Sequence, residues 1–143
     1  MKRQRATVIV EIDGKILLVE NRGGMLLLPG GGINADESLA QAAARELAEE
    51  TGLLSDALQF LFSHESQTNC HHVFRASASG AALAGDDAMA LHFFAHGDLP
   101  LSARMSPATR QIIARFASTR EQGQGPEKRP PGMSPAVMAD SSA

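Results

Sequence analysis

Three glutamates stand close together in the stretch from Ser38 to Thr51. Glu46, Glu49 and Glu50 occupy positions i, i+3 and i+4, so a helix would place all three carboxylates on one face. Like charges at these spacings destabilise an isolated helix by roughly 0.2–0.5 kcal/mol per pair, and the negative end of the helix dipole adds to that cost. A divalent cation would offset it, and Mg²⁺ fits because it combines one or two carboxylates with water and phosphate oxygens.

A short acidic run on a helix is usually a solvated face. The residues around this cluster indicate a metal site instead. Upstream, Gly31 is followed by Glu37, and downstream the fixed positions are Arg45-Glu46, an aliphatic Leu47, Glu49-Glu50, Gly52 and an aliphatic Leu53. Arg45 precedes Glu49 by four residues, so it can orient one carboxylate but cannot neutralise the cluster.

This pattern resembles the signature of the Nudix hydrolase (MutT-like) superfamily, matched at every fixed position from Gly31 to Leu53. The resemblance implies an α/β fold in residues 1–118, with a mixed β-sheet sandwiched between helices. It implies a metal-dependent pyrophosphohydrolase that uses Mg²⁺, with Mn²⁺ as a substitute. The implied substrate is a nucleoside diphosphate linked to another moiety, such as an ADP-ribose-like compound, or a nucleoside triphosphate. The alternative is a non-catalytic nucleotide-binding sensor, which the intact set of carboxylates disfavours.

The resemblance also assigns roles to individual residues. The implied catalytic residues are Arg45, Glu46 and Glu49, and the implied metal ligands are the Gly30 carbonyl, Glu37, Glu46, Glu49 and Glu50. Glu46 and Glu50 would be the principal ligands, Arg45 would hold a catalytic glutamate, and the choice of general base stays open. Members of the family often add an acidic ligand from outside the signature, for which the candidates are Glu65, Asp86 and Asp87.

The substrate is not identified by the remaining sequence. Within the family, a proline shortly after the signature marks many ADP-ribose hydrolases, and a tyrosine slightly farther on marks dinucleoside polyphosphate hydrolases. This chain has no Tyr and no Pro between Pro29 and Pro100, so neither subgroup is favoured or excluded. The sequence also lacks the Gly-Lys-Ser/Thr of a P-loop, which argues against that class of nucleotidase.

The flanking elements read as strands and helices in mixed order, which favours the same α/β sandwich. The predicted strands are 6–12 and 15–20, joined by a turn at Asp13-Gly14, and then 25–28, 60–65, 71–76 and 91–96. The three glycines at 30–32 predict irregular structure, and residues 77–87 predict a turn region. One helix is expected over Ser38–Thr51 with Asp36 or Ser38 as its N-cap, and another over 106–119 with Ile112, Ile113 and Phe116 on its apolar face.

Composition limits the partners and the compartment. The chain has 143 residues and a formal net charge of -3, from 13 Lys+Arg against 16 Asp+Glu, which disfavours polymeric nucleic acid and an anionic membrane as partners. A small-molecule nucleotide is the expected partner, and the family resemblance favours a homodimer. The single Cys70 excludes an intrachain disulfide, so a cytoplasmic location is expected. The N-terminus predicts no cleaved leader, and residues 119–143, rich in Pro and Gly, predict a disordered tail.

Two weaker patterns have ordinary explanations. His64, Cys70, His71 and His72 suggest zinc, but strand alternation sends the two adjacent histidines to opposite faces. Sheet-surface histidines, or one histidine near the substrate pocket, are expected instead. Phe60 and Phe62 are predicted to share one strand face, as are His72 and Phe74, and these aromatic rings are expected in the core rather than stacked on a base.

Overall fold

The computed structural model describes residues 2–85, 88–98 and 104–121. The strands are β1 (Arg3–Ile12), β2 (Lys15–Glu20), β3 (Leu26–Leu27), β4 (Gly30–Gly32), β5 (Leu54–Glu65), β6 (Asn69–Ser79) and β7 (Ala90–Ala95). The helices are α1 (Leu39–Thr51) and α2 (Pro107–Glu121), with a short 3₁₀ turn at His96–Asp98. Among the described helices, none is both long and apolar enough to cross a lipid bilayer.

Strand β1 organises the sheet. It pairs in parallel with β6 and antiparallel with both β2 and β4. The strand order is β3-β2-β1-β6-β5, with β7 added beside β2. Because one parallel pair lies among antiparallel pairs, the sheet is mixed, as the sequence predicts.

The two faces of the sheet form separate cores, each covered by one helix. Leu47 of α1 packs with Val8 and Phe74 on the first face. On the second face, Ile112 and Phe116 of α2 pack with residues that include Ile9 and Val73. The predicted α/β architecture, a mixed sheet sandwiched between helices, is confirmed.

Helix α1 begins and ends at polar caps. The Ser38 hydroxyl accepts a hydrogen bond from the Gln41 backbone N–H at 3.0 Å, and the Gln41 side chain accepts one from the Ser38 N–H at 2.8 Å. This capping box identifies Ser38, rather than Asp36, as the N-cap. Gly52 closes the helix with a φ of 73°, a conformation that favours glycine.

The expectation of irregular structure at the three glycines is wrong. Gly30–Gly32 forms β4, which pairs antiparallel with Arg5, Ala6 and Thr7 of β1. A Cβ at Gly30 would overlap the Ala6 carbonyl oxygen, so glycine permits the two backbones to approach this closely. Pairing with a central strand overrides the weak intrinsic strand preference of glycine.

The prediction that Phe60 and Phe62 share a strand face is also wrong. The β5–β6 register shifts between these two residues, and the irregularity sends Phe60 to the core beneath α1 and Phe62 to the core beneath α2. Both rings are buried, so the expectation that they belong to the core is confirmed. β6 continues to Ser79, so the first part of the predicted turn region at 77–87 is strand.

Helix α2 is the last element that the structure describes, and the predicted domain boundary stays a prediction. The sequence places the end of the domain at residue 118, whereas α2 continues to Glu121. Pro107 begins this helix, at a position where its missing N–H costs nothing. The rest of the predicted tail lies outside the described residues.

Candidate active site

The backbone of β4 lies against the C-terminal half of α1. The Gly30 N–H donates a hydrogen bond to Oε1 of Glu50 at 3.3 Å. A Cβ at Gly31 would lie 2.5 and 2.6 Å from the two carboxylate oxygens of Glu46. The absence of a side chain at Gly31 therefore lets the Glu46 carboxylate rest directly against the strand.

The three glutamates of α1 line one cavity of about 530 Å³. We call it the carboxylate cavity; its lining also includes Gly30, Arg5, Leu27 and Leu28. The structure therefore brings together four of the five predicted metal ligands. Glu37, the fifth, does not line this cavity.

Arg45 connects the acidic side chains to one another. Its guanidinium donates to Glu46 and Glu49 at 2.9 Å each, and to the Gly32 carbonyl oxygen at 2.9 Å. Two further hydrogen bonds join it to Glu37, at 2.6 and 3.0 Å. These hydrogen bonds, those to Glu37 above all, raise the pKa of Arg45 above its usual value and keep the guanidinium charged.

Glu37 is held in a structural position. It bonds to Arg45 and also accepts a hydrogen bond from the Asn34 N–H at 2.9 Å. The Arg45 hydrogen bonds lower the pKa of Glu37 against the opposing effect of burial. In this arrangement the carboxylate steadies Arg45, and a role for Glu37 as a metal ligand stays a prediction.

Glu50 is the most perturbed carboxyl group in the cavity. Burial, followed by the adjacent Glu46 side chain, raises the pKa of Glu50 to about 8, and the Gly30 N–H opposes this rise. Two carboxylates in a partly buried cavity cannot both ionise at low cost unless a cation accompanies them. Arg45 accompanies Glu46 at 2.9 Å and Arg5 lines the cavity, and the pKa of Glu50 is raised even with these cations present.

The available donors suit Mg²⁺. Glu46 and Glu50 offer carboxylate oxygens, and Gly30 lines the same cavity with its N–H bonded to Glu50. In the described ranges, no three His, Cys, Asp or Glu side chains are grouped as a metal site made of side chains alone. Mg²⁺ is commonly held by one or two carboxylates and keeps its other positions for water and substrate oxygens.

Of the three candidate acidic ligands outside the signature, Glu65 is the one that the structure describes. Glu65 forms a salt bridge with Lys2 at 3.2 Å, and its side chain is 67% exposed. It does not line the carboxylate cavity. Asp86 and Asp87 lie outside the described residues.

The histidines bond to polar neighbours rather than to a shared metal. His64 bonds to Gln111, and His72 bonds to both Ser63 and Gln4. His71 and His72 occupy successive positions of β6; His71 bonds to Thr7 of β1, and His72 bonds to Gln4 of β1 and Ser63 of β5. No zinc cluster is present among the residues that the structure describes.

A second cavity, of about 400 Å³, lies next to the first and shares Arg5, Leu27 and Leu28 with it. We call it the His71 cavity, because its walls include His71 together with Thr7. Sequence reasoning assigned no substrate-binding residue and missed Arg5. Only the pairing of β1 with β4 and β6 brings Arg5 beside both cavities, and no local sequence signal reveals that pairing.

Two curated relatives are similar to this chain over part of its length. An ADP-ribose pyrophosphatase from Methanocaldococcus jannaschii is 36% identical over 103 residues, which is 64% of this chain and 61% of that protein. The phosphatase NudJ from Escherichia coli K12 is 42% identical over 60 residues, 40% of this chain and 39% of its own. The similarity therefore covers less than two thirds of either relative.

Solved structures extend the comparison to the fold. A Nudix hydrolase family member from Chromobacterium violaceum is 30% identical with a TM-score of 0.75, over 84% of this chain and 79% of that one. The NUDIX domain of Shewanella oneidensis NrtR, crystallised with ADP ribose, is 20% identical with a TM-score of 0.71, over 84% and 89%, and shows a likeness of fold alone. The family model of the NUDIX domain matches residues 1–116. The predicted resemblance is confirmed, and the chain belongs to the NUDIX domain family.

Proposed function

We propose that the chain is a Mg²⁺-dependent pyrophosphohydrolase that cleaves the diphosphate linkage of a nucleoside diphosphate joined to another moiety. The observation that carries this proposal is the placement of Glu46 and Glu50 side by side, against Gly30 and Gly31, in the wall of one cavity. The similarity to an ADP-ribose pyrophosphatase makes ADP-ribose the first substrate to test. Nucleoside triphosphates are the second class.

The carboxylate cavity supplies the parts that diphosphate hydrolysis needs. Glu46, Glu50 and the Gly30 carbonyl would hold Mg²⁺, which when bound neutralises phosphate charge and makes a coordinated water more acidic. Arg45 fixes the Glu46 and Glu49 carboxylates at 2.9 Å each, so neither must reorganise when substrate binds. Arg5 adds a positive charge to the lining of the same cavity, and this charge acts to lower the pKa of Glu50.

Glu49 is the favoured proton acceptor. Its side chain is 43% exposed, whereas that of Glu46 is 15% exposed, so water reaches Glu49 more readily. The oxygen of the attacking water forms a bond to phosphorus, the bridging P–O bond breaks, and the water proton passes to the Glu49 carboxylate. The products are two phosphate monoesters when the substrate is a nucleoside diphosphate linked to a sugar.

A substrate panel tests the proposal. ADP-ribose, other nucleoside diphosphate derivatives and nucleoside triphosphates are incubated with the full chain, with and without Mg²⁺, and the products are separated. We expect turnover only with Mg²⁺, and a loss of about 10²-fold or more in kcat for Glu50→Gln. Glu65→Gln is the matched control, because this exposed glutamate lines neither cavity.

Two outcomes would contradict the proposal. One is the absence of Mg²⁺-dependent turnover across the whole panel. The other is a Glu50→Gln variant as active as Glu65→Gln. A ligand that binds tightly and is recovered unaltered after long incubation would instead identify a nucleotide sensor.

A further inference from the structure

The C-terminal end of α1 carries three acidic side chains and lacks the cations that usually accompany such an end. Glu46, Glu49 and Glu50 lie in its last two turns, and its last turn contains no basic residue. The helix dipole makes this end partly negative, so cations would stabilise it and carboxylates do not. Other donors must therefore meet the carbonyl groups that close the helix.

The segment that follows β6 supplies these donors. We call residues 80–85 the 80–85 strap. The Leu83 N–H donates to the carbonyl oxygen of Thr51 at 2.7 Å, and the Gly85 N–H donates to that of Glu50 at 2.9 Å. Both carbonyl groups belong to the last turn of α1, where the helix itself offers no N–H partner. The strap therefore bonds to the backbone of the same turn whose side chains form the candidate site.

Gly85 allows the strap to lie this close to the helix. A Cβ at residue 85 would lie 2.5 Å from the carbonyl oxygen of Glu49, which is backbone and cannot rotate away as a side chain could. The φ of Gly85 is not left-handed, so this contact, rather than the conformation, excludes a side chain. Any larger residue at this position must displace the strap, the end of α1 or both.

Main-chain hydrogen bonds attach the strap to the helix. Leu83 is 75% exposed, and Ala81 and Ala82 are also exposed, so apolar burial at these residues contributes little. Beyond the strap, the Ala88 N–H bonds to the Gly85 carbonyl oxygen at 3.0 Å, and Ala88 lines the carboxylate cavity. A shift of the strap would therefore affect both the end of α1 and the cavity wall.

We propose that the 80–85 strap positions the end of α1 that carries the proposed metal ligands, with Gly85 as a positioning residue that acts through the backbone of Glu49 and Glu50. The strap holds the last turn in the orientation that places Glu50 in the cavity wall. Its N–H dipoles also offset part of the negative charge at this end. The inference rests on the proposed function for the chemistry performed there, but the attachment of the strap is tested without hydrolysis.

The first experiment measures amide hydrogen exchange by NMR in the full, metal-free chain in EDTA. We expect the Leu83 and Gly85 amides to exchange about tenfold or more slowly than the same segment in an unstructured peptide. Gly85→Ala should remove most of the protection at Leu83. Ser38→Ala is the matched control, because it weakens the opposite end of the same helix and should leave the strap amides protected. Strap amides that exchange as fast as the peptide in the unmodified chain would overturn the proposal.

The second experiment measures kcat and KM on the best substrate of the panel, and Mg²⁺ affinity by calorimetry. We expect Gly85→Ala to lower kcat about tenfold, with a smaller change in KM, and to weaken Mg²⁺ binding about tenfold, because a displaced last turn moves Glu50. Ser38→Ala should lose stability without either change, since Ser38 lines neither cavity. A Cβ at Gly97 meets no atom within 4 Å, so Gly97→Ala is a second control. Equal kcat and Mg²⁺ affinity in Gly85→Ala and Ser38→Ala would refute the inference.

A second pair of variants tests the same contact should Gly85→Ala fail to fold. Leu83→Pro removes the N–H that donates to Thr51, whereas Leu83→Ala keeps it and shortens only an exposed side chain. We expect the proline variant to lose more kcat and more Mg²⁺ affinity than the alanine variant. Equal losses in the pair would refute the role of the strap.

The readouts also separate this inference from the proposed function. Turnover that is equal in Gly85→Ala and Ser38→Ala would refute the positioning role and leave hydrolysis intact. A chain that hydrolyses no compound of the panel, but whose strap amides are protected and whose Mg²⁺ affinity falls in Gly85→Ala, would refute the proposed hydrolysis and retain the positioning role.

Discussion

Glu50 is the residue at which protonation would compete with the proposed metal binding. Without a cation, burial and the adjacent Glu46 raise the pKa of Glu50 from the usual 4.5 to about 8. The folded chain then keeps a proton that the unfolded chain releases, so this residue lowers the stability of the metal-free protein as pH rises from about 4.5 to about 8. Above the folded pKa the loss is complete and its contribution becomes constant.

Thermal unfolding in EDTA between about pH 5 and about pH 9 measures this effect. We expect Glu50→Gln to lack the decline in Tm that the unmodified chain shows, because the amide carries no ionisable proton. The variant should therefore be the more stable of the two near pH 8. Glu65→Gln serves as the control and should follow the unmodified chain. Parallel curves for Glu50→Gln and the unmodified chain would contradict the assignment.

Gly31 is a second single residue on which the site depends, because it controls the position of the Glu46 carboxylate. A Cβ there would lie 2.5 and 2.6 Å from the Glu46 oxygens, and Glu46 can yield because it is the end of a flexible side chain. We expect Gly31→Ala to lower kcat/KM by about 10²-fold with little change in Tm, because Glu46, the proposed metal ligand, would move by about 1 Å while the fold is kept. A Cβ at Gly32 meets no atom within 4 Å, so Gly32→Ala is the matched control. Equal activity of the two variants would show that the position of the Glu46 carboxylate does not depend on the absence of a side chain at residue 31.

At the scale of the elements, sequence reasoning succeeded where the signal is local. Helix α1 was predicted correctly because three local signals indicate the same helix: high helix propensity, helical spacing of the apolar residues, and Gly52 at its C-terminal end. Strand β4 was not predicted, because glycines have a low strand propensity and the strand depends on pairing with β1 residues that are distant in the sequence. The irregularity between Phe60 and Phe62 and the placement of Arg5 between β4 and β6 were not predicted, for the same reason.

The capping box at the N-terminus of α1 gives a prediction about the stability that this helix contributes. Ser38→Ala removes one half of the capping box and should lower the free energy of unfolding by about 1 kcal/mol. Urea unfolding at equilibrium measures the difference. Asp36→Gly is the control for the other candidate cap, because glycine accepts the φ of 66° found at Asp36. A larger loss for Asp36→Gly than for Ser38→Ala would contradict the observed cap.

At the scale of the whole molecule, β1 joins the parts of the site. Its parallel pairing with β6 places Arg5 beside His71, and its antiparallel pairing with β4 places the same residue beside the glycines that contact Glu46 and Glu50. The two cavities therefore share a wall, to which Arg5, Leu27 and Leu28 contribute. A ligand that bridges them would bind to several strands and to α1 at once, and so stabilise the fold as a unit.

Mg²⁺ should for this reason stabilise the entire domain, and more strongly at high pH. Binding requires Glu50 to lose its proton, so the rise in Tm caused by Mg²⁺ should be larger near pH 8 than near pH 6. Glu50→Gln should abolish most of this rise, whereas Glu65→Gln should keep it. Calorimetric scans at matched ionic strength, with EDTA as the metal-free reference, separate site binding from general screening. A chain whose α1 were merely an acidic surface helix would show no Mg²⁺-dependent rise, or one that Glu50→Gln leaves unchanged.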